Sequence, residues 1–179
     1  LGDVYKRQFH ERAEAQKYYF VPCPHCGEMI ILKWQQVRFQ NDEDNKMTIE
    51  ERANQASQWK ATGIYNCAQA VTQAFADQIP VEAETLKKLG AGYAAGMGCM
   101  ESTCGALIGA VMAAGILTDG KGTPAVSRQL VAGFQEKCGA TICKDLKGIE
   151  TGRVLCSCPE CVRNAVLTLG EVLKLEEKV

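Results

Sequence analysis

Ten cysteines stand in this 179-residue chain: Cys23, Cys26, Cys67, Cys99, Cys104, Cys138, Cys143, Cys156, Cys158 and Cys161. A thiol can pack as a small apolar group, close a disulfide, bind a metal as thiolate or attack as a nucleophile. Which of these it does depends on where its element places it. Cys158-Pro159-Glu160-Cys161 is the sharpest local arrangement. Residues i and i+3 of a first helical turn lie on one side, so the two sulfurs can meet. That spacing suits a reversible disulfide and a shared metal equally well. Cys156, two residues earlier, offers a third thiol able to resolve a mixed disulfide. A thioredoxin would set such a pair in a βαβ unit, and no strand pattern follows residue 47.

Histidine is informative by its scarcity. His10 and His25 both precede residue 47. The rest of the chain therefore has no Cys–His or Ser–His–Asp nucleophile scheme open to it. Any metal there would be held by thiolates, with carboxylates as the other donors at hand. Glu101, Asp145 and Glu160 lie near cysteines in sequence and read as capping or solvated carboxylates. The net charge of −1 gives no electrostatic footprint for nucleic acid or a membrane surface.

The first residues are charged and carry no apolar signal region. The longest apolar stretch, Cys104 to Leu117, falls short of the roughly 20 residues that cross a bilayer. The expected compartment is the cytoplasm. There, clustered cysteines are more often catalytic or metal-binding than structural.

The elements that must position these thiols are helical. Thr48-Ile49-Glu50-Glu51 is a capping box opening a helix to about Ala61, ended by Gly63. Asn66 caps a second helix in which Cys67, Ala70, Val71, Ala74 and Phe75 share one face, running on to Pro80. A third is expected from Val81 to Ala94, with Leu86, Leu89, Gly90 and Tyr93 inward. Ser102 or Thr103 then caps a helix from Cys104 to Leu117, apolar on nearly all sides and so central. Thr123-Pro124 opens a fifth, with Leu130, Val131 and Phe134 as its core face and Cys138-Gly139 at its end. Thr141 to Leu146 suggests a short turn carrying Cys143. A last helix runs from Cys158 to about Leu175 on Val162, Ala165, Val166, Leu169, Val172 and Leu173.

The expected fold is all-α: a compact bundle of about five helices, preceded by a poorly packed N-terminal segment. Cys67, Cys104 and Cys158 fall at, or one residue from, predicted helix N-termini. Unpaired N–H groups and the macrodipole there favour a thiolate. Cys99, Cys138 and Cys156 read as packed thiols.

The chain changes character at the polar run Asn41–Lys46, and Met47 followed by a helix start reads as a natural protein N-terminus. The expected organisation is an extension over residues 1–46 and a cysteine-rich helical domain over 47–179. Within the extension, Asp3-Val4-Tyr5-Lys6-Arg7-Gln8 back-translates to a string resembling a transposase-adaptor sequence, so residues 1–8 read as a sequencing scar. Cys23-Pro24-His25-Cys26-Gly27, leading into Ile30, Ile31, Leu32 and Trp34, reads as half a zinc knuckle ahead of a strand. Cys23 and Cys26 would bind one side of a tetrahedral zinc. Residues 9–46 resemble a stretch of the GpA-type phage terminase large subunit, with neither a Walker motif nor nuclease carboxylates.

Residues 47–179 resemble the redox-active family named for its C-GCAxxG-C-C cysteine pattern. The resemblance is carried by Tyr65-Asn66-Cys67-Ala68-Gln69-Ala70-Val71, by Gly96-Met97-Gly98 leading to Cys104-Gly105-Ala106-Leu107-Ile108-Gly109, by Cys143-Lys144-Asp145-Leu146 and by Cys158-Pro159-Glu160-Cys161-Val162. Thr103 stands where the family label has a glycine. The resemblance implies Cys67, Cys104, Cys143 and Cys158 as the family's four cysteines, and it implies redox activity with an unspecified redox partner. Three readings follow. The first is a thiol-redox protein, in enzyme terms a thiol–disulfide oxidoreductase, in which those four cycle between dithiol and disulfide with Cys161 as resolving thiol. The second is a module binding zinc or an iron–sulfur cluster through Cys67, Cys104, Cys143 and Cys158. The third is a terminase fragment acting in DNA packaging. For residues 47–179 neither nucleic acid nor membrane insertion is expected.

Overall fold

Thr48 accepts a hydrogen bond from the Glu51 N–H while the Glu51 carboxylate accepts from the Thr48 N–H, and α1 (Ile49–Ala61) starts there. Asn66 and Gln69 repeat the device for α2 (Cys67–Gln73). In chain order there follow α3 (Ala83–Gly90), a 3₁₀ turn at Ala91–Tyr93, α4 (Gly105–Leu117), α5 (Thr123–Cys138), α6 (Cys143–Lys147) and α7 (Cys158–Leu173). This computed structural model describes residues 47–175 and the backbone of residues 20–22 and 29–31.

The chain divides into two units, Leu1–Lys46 and Met47–Val179. In the first, β1 (Phe20–Pro22) pairs antiparallel with β2 (Met29–Ile31), Val21 opposite Ile30. The adaptor-like residues 1–8, the half knuckle with Cys23 and Cys26, and the packing of this segment lie outside the described residues.

The second unit is all-α. α4, uniformly apolar, is its central helix and packs on α2, α5 and α7, while α1 lies along α7. The core gathers Ile49, Ala53, Val71, Phe75, Leu86, Leu107, Leu130, Phe134, Leu146, Val162, Val166 and Leu169. Leu89 and Val131, expected inward, are exposed; α3 buries Leu86 and Gly90 and α5 buries Leu130 and Phe134. No helix among the described residues is long and apolar enough to cross a membrane.

Three elements differ from the sequence pattern. The helix expected from Val81 to Ala94 is shorter, α3 over Ala83–Gly90 giving way to the 3₁₀ turn at Ala91–Tyr93. α2 stops at Gln73, and the next residues make tighter turns, Phe75 N–H to the Thr72 carbonyl and Ala76 N–H to that of Gln73. The buried Arg52 guanidinium takes the Ala74 carbonyl and the Asp77 carboxylate, so that carbonyl serves a side chain instead of the next helical turn. α4 starts at Gly105 with Cys104 as its N-cap, later than Ser102 or Thr103 would place it. Thr103 is held extended in a bridge to Ile142, and the Cys104 N–H donates to the Thr141 carbonyl.

Candidate functional site: a cluster of thiols around Lys147

Each of four helices presents a cysteine at its N-terminus. Cys67 is the first residue of α2, Cys143 of α6 and Cys158 of α7, and Cys104 is the N-cap of α4. The start of α6 is tied to the start of α4: Cys143 N–H donates to the Ser102 carbonyl at 3.0 Å and Lys144 N–H to that of Met100 at 2.8 Å. Close backbone approach brings the other ends in. A Cβ on Gly105 would stand 2.3 Å from the Tyr93 carbonyl oxygen and 3.3 Å from the Cys67 Cβ, so only glycine lets α4 begin beside Cys67. Gly96, at φ +56°, would place a Cβ 2.7 Å from that of Cys143; it combines a left-handed backbone with contact against a thiol-bearing residue.

The sulfurs sort into an outer pair and an inner group. In the outer pair Cys67 hydrogen-bonds Cys158. Cys67 is buried and Cys158 half-buried; among the described cysteines the exposed one, Cys99, lies in the loop before α4. The hydrogen bond from Cys67 brings the Cys158 thiol down to about 5, against the pull of burial and with help from the Lys147 ammonium. The same bond, with burial, pushes Cys67 up. One sulfur keeps the proton and the other the charge.

The inner group is Cys138, Cys156 and Cys161, all buried, with sulfurs within 4.8 Å of one another. Cys138 ends α5, Cys156 precedes α7 and Cys161 lies one turn inside it. Hydrogen bonds from Cys156 and Cys161, joined by Asn164 against burial, hold Cys138 down at about 4. Cys161, hydrogen-bonded to Cys104, Cys138 and Cys156, is pushed up.

Cys104 links the two sets. It interacts with Cys161, its charge helps raise Cys67, and its own thiol is lowered to about 7, first by Cys161 and then, against burial, by the N–H groups of Ala106 and Leu107. Cys143 is buried within electrostatic reach of Cys104 and Cys158, and burial raises it.

Lys147 brings an ammonium into the cluster, and Lys60 adds positive charge that lowers Cys67 and Cys158. The Lys147 Nζ donates to the Cys156 carbonyl at 2.8 Å and to the Cys161 sulfur at 3.6 Å, and it also hydrogen-bonds Cys158. Burial pulls its own titration down, but the surrounding thiolates outweigh this and raise it. Asn164 donates to the Cys138 sulfur at 3.4 Å and the Cys156 sulfur at 4.0 Å.

The five sequence-derived thiols Cys67, Cys104, Cys143, Cys158 and Cys161 thus sit in one neighbourhood. The hydrogen-bonded partner of Cys158 is Cys67, while Cys161 turns to Cys104, Cys138 and Cys156. Cys138, read from sequence as a packed thiol, and Cys156, read as packed or as a third thiol beside the C-x-x-C pair, complete the tightest triad. Lys147 and Asn164 were not singled out. Lys147 follows Cys143 by four residues, the spacing that puts both on one helix face, and Asn164 follows Cys161 by three. A polar residue inside the apolar run of α7 was the available signal.

A helical bundle that gathers thiols from four helix starts around one lysine defines a cysteine-cluster protein. Residues 65–172, more than half of the chain, match the family described as "Putative redox-active protein (C_GCAxxG_C_C)". The chain belongs to this family. Residues 7–74 match the model "Phage terminase large subunit gpA, ATPase domain". That similarity reaches beyond residues 9–46, through α1 and α2, which here are integral to the bundle. No curated protein and no solved structure matches the chain. The inner triad is a buried cysteine cluster of the kind that can hold a metal ion.

Proposed function

We propose that this is a thiol–disulfide exchange protein whose working pair is Cys158 and Cys67. The observation that carries this reading is the placement of Cys158, a partly exposed residue opening α7, whose thiol is lowered by the buried Cys67 and by Lys147. A nucleophilic thiol has to be both ionised and reachable; the lowered thiol and partly exposed position of Cys158 support this reading.

The Cys158 thiolate attacks one sulfur of a partner's disulfide; a Cys158–partner bond forms and the other partner sulfur leaves as thiolate. Cys67, after passing its proton to that leaving thiolate, attacks the Cys158 sulfur. The Cys67–Cys158 bond forms and the second partner sulfur leaves, taking a proton from solvent. The partner is reduced by two electrons and the Cys67/Cys158 dithiol is oxidised by two. A dithiol reductant returns the pair to its starting state, and the reverse sequence oxidises a dithiol partner. The division of the chain at Lys46–Met47 supports assigning the activity to residues 47–179. The reducing cytoplasm is the compartment in which such a pair stays available.

The test uses the reduced full chain and oxidised glutathione, with peptide mapping of the products. The wild type should yield a Cys67–Cys158 disulfide. Cys67→Ser should stop at a stable glutathione adduct on Cys158, and Cys158→Ser should give neither. Adducts spread evenly over the cysteines would sink the reading.

A further inference from the structure

We propose that the interior of the cluster is a separate zinc site, with Cys138, Cys156 and Cys161 as ligands and Cys104 as the fourth. The site is distinct from the exchange pair and does not rest on it.

The argument begins with separation. Four thiolates around one zinc at about 2.3 Å stand about 3.8 Å from one another in a tetrahedron. The three inner sulfurs already lie within 4.8 Å of one another, so a small contraction closes them on one ion. An iron–sulfur cluster interposes irons and sulfides between its ligands and would have to spread this triad apart. Mononuclear coordination by soft sulfur donors is what the spacing suits. The fourth ligand must come from a neighbouring thiol; Cys104, buried as the N-cap of α4 and interacting with Cys161, stands outside the mutual 4.8 Å group and would move further than the other three to join it.

The surrounding donors point the same way. An ammonium and the NH₂ of an asparagine amide can only donate hydrogen bonds. Lys147 Nζ faces Cys161 and Asn164 Nδ2 faces both Cys138 and Cys156, so each of the three sulfurs accepts a hydrogen bond; Cys161 Sγ also donates to the Cys156 carbonyl at 3.7 Å, a proton that zinc would displace. N–H groups directed at ligating sulfurs are the outer partners that orient and tune a metal–thiolate centre. Charge is partly offset as well. Four thiolates around Zn²⁺ leave a dianionic centre, and whatever protons the four sulfurs still hold pass to solvent. Lys147 supplies one positive charge against it, and Asn164 supplies a dipole.

The ligands also suit a structural role. Cys104 caps α4, Cys138 ends α5, and Cys156 and Cys161 bracket the start of α7. One ion would tie three helices that already pack on one another.

The experiment takes the full chain, reduced, stripped by chelator and kept anaerobic. It is titrated with Zn²⁺ against a chromophoric chelator, and the loaded protein is examined by X-ray absorption. One equivalent should bind, with four sulfurs at about 2.3 Å. Cys104→Ser should lower the sulfur count to three, and Asn164→Ala, which keeps every thiol, should weaken zinc binding roughly tenfold. Cys99→Ser and Cys143→Ser should bind as the wild type does.

Failure of the wild type to retain an equivalent would overturn the proposal, as would a nitrogen- or oxygen-dominated shell, or loss of zinc in Cys143→Ser. The wild-type spectrum needs no variant to fold. Glutathione mapping of the zinc-loaded chain separates the two readings: a Cys67–Cys158 disulfide formed with zinc retained supports both, and a full zinc shell without that disulfide would sink the exchange reading alone.

Discussion

Cys158 and Cys161 occupy the same helix one turn apart, hydrogen-bond the same lysine, and titrate in opposite directions. Cys158 has one thiol neighbour, which donates to it, and it reaches solvent. Cys161 has three thiol neighbours and no solvent exposure. Charge on Cys158 is therefore shared with a proton on Cys67, while charge on Cys161 would add to a crowd of sulfurs already competing for one ammonium. A C-x-x-C spacing brings two thiols to one end of a helix; the neighbours each meets there decide which one reacts. In this molecule the motif is divided between two jobs, the first cysteine facing outward for exchange and the second inward for binding.

The largest effect should appear in alkylation of the native chain. A lowered thiol is ionised at every pH above its own value, so the Cys158 rate should hold as pH falls from 8 to 6 and decline only toward about 5. Thiolate nucleophilicity falls as pKa falls, which offsets most of this gain at pH 7; at pH 6, where an ordinary thiol near 9 is only about 0.1 per cent ionised, Cys158 should label roughly tenfold faster than thiols of ordinary pKa. Site-resolved mass spectrometry gives both numbers. Equal rates for Cys158 and Cys161 would erase the contrast between them.

Removing the shared cation comes next. Lys147→Met should raise the Cys158 thiol, because the ammonium favours its charged form, and labelling at pH 6 should then fall by roughly tenfold for each unit of rise beyond that pH. Thiolate absorbance followed against pH would show the shift directly. An unchanged titration would mean that Cys67, with the more distant Lys60, sets the Cys158 thiol without Lys147.

Ser157→Ala probes the scaffold beneath both sulfurs. Ser157 caps α7 by accepting from the Glu160 N–H, and its loss should cost about 0.5–2 kcal/mol in a denaturant melt. The smallest effect belongs to the α1 contact along the same helix. Arg163 pairs with Glu50 at a partly exposed site, so Glu50→Gln should change stability by less than about 1 kcal/mol and leave Cys158 labelling as it was.

Much of the bundle could be read from residue order, because helix signals are local. Thr48 and Glu51, Asn66 and Gln69, and Cys138-Gly139 mark boundaries by chemistry within four residues of themselves. Where a partner distant in sequence intervenes, the reading slips. Arg52 takes the carbonyl of Ala74 and α2 ends early; Ile142 holds Thr103 extended and α4 starts late. The thiols divide in the same way. Cys67, Cys104 and Cys158 were visible at helix starts, and Cys143 joined them once the expected turn formed a short helix. Cys138 and Cys156 were not, because each carries its meaning through a neighbour on another element: Cys138 through α7, Cys156 through the lysine of α6. The pairing of Cys158 with Cys67 rather than with Cys161 likewise depends on how the start of α7 packs on α2, which no spacing rule reveals.

The most direct test of the central claim is the order in which disulfides form when the reduced full chain is treated with a small excess of oxidised glutathione and quenched by acid at intervals. The account predicts the Cys67–Cys158 disulfide as the first intramolecular product, preceded only by a glutathione adduct on Cys158. A Cys158–Cys161 disulfide as the first product, or initial adducts on Cys138 or Cys156, would contradict it.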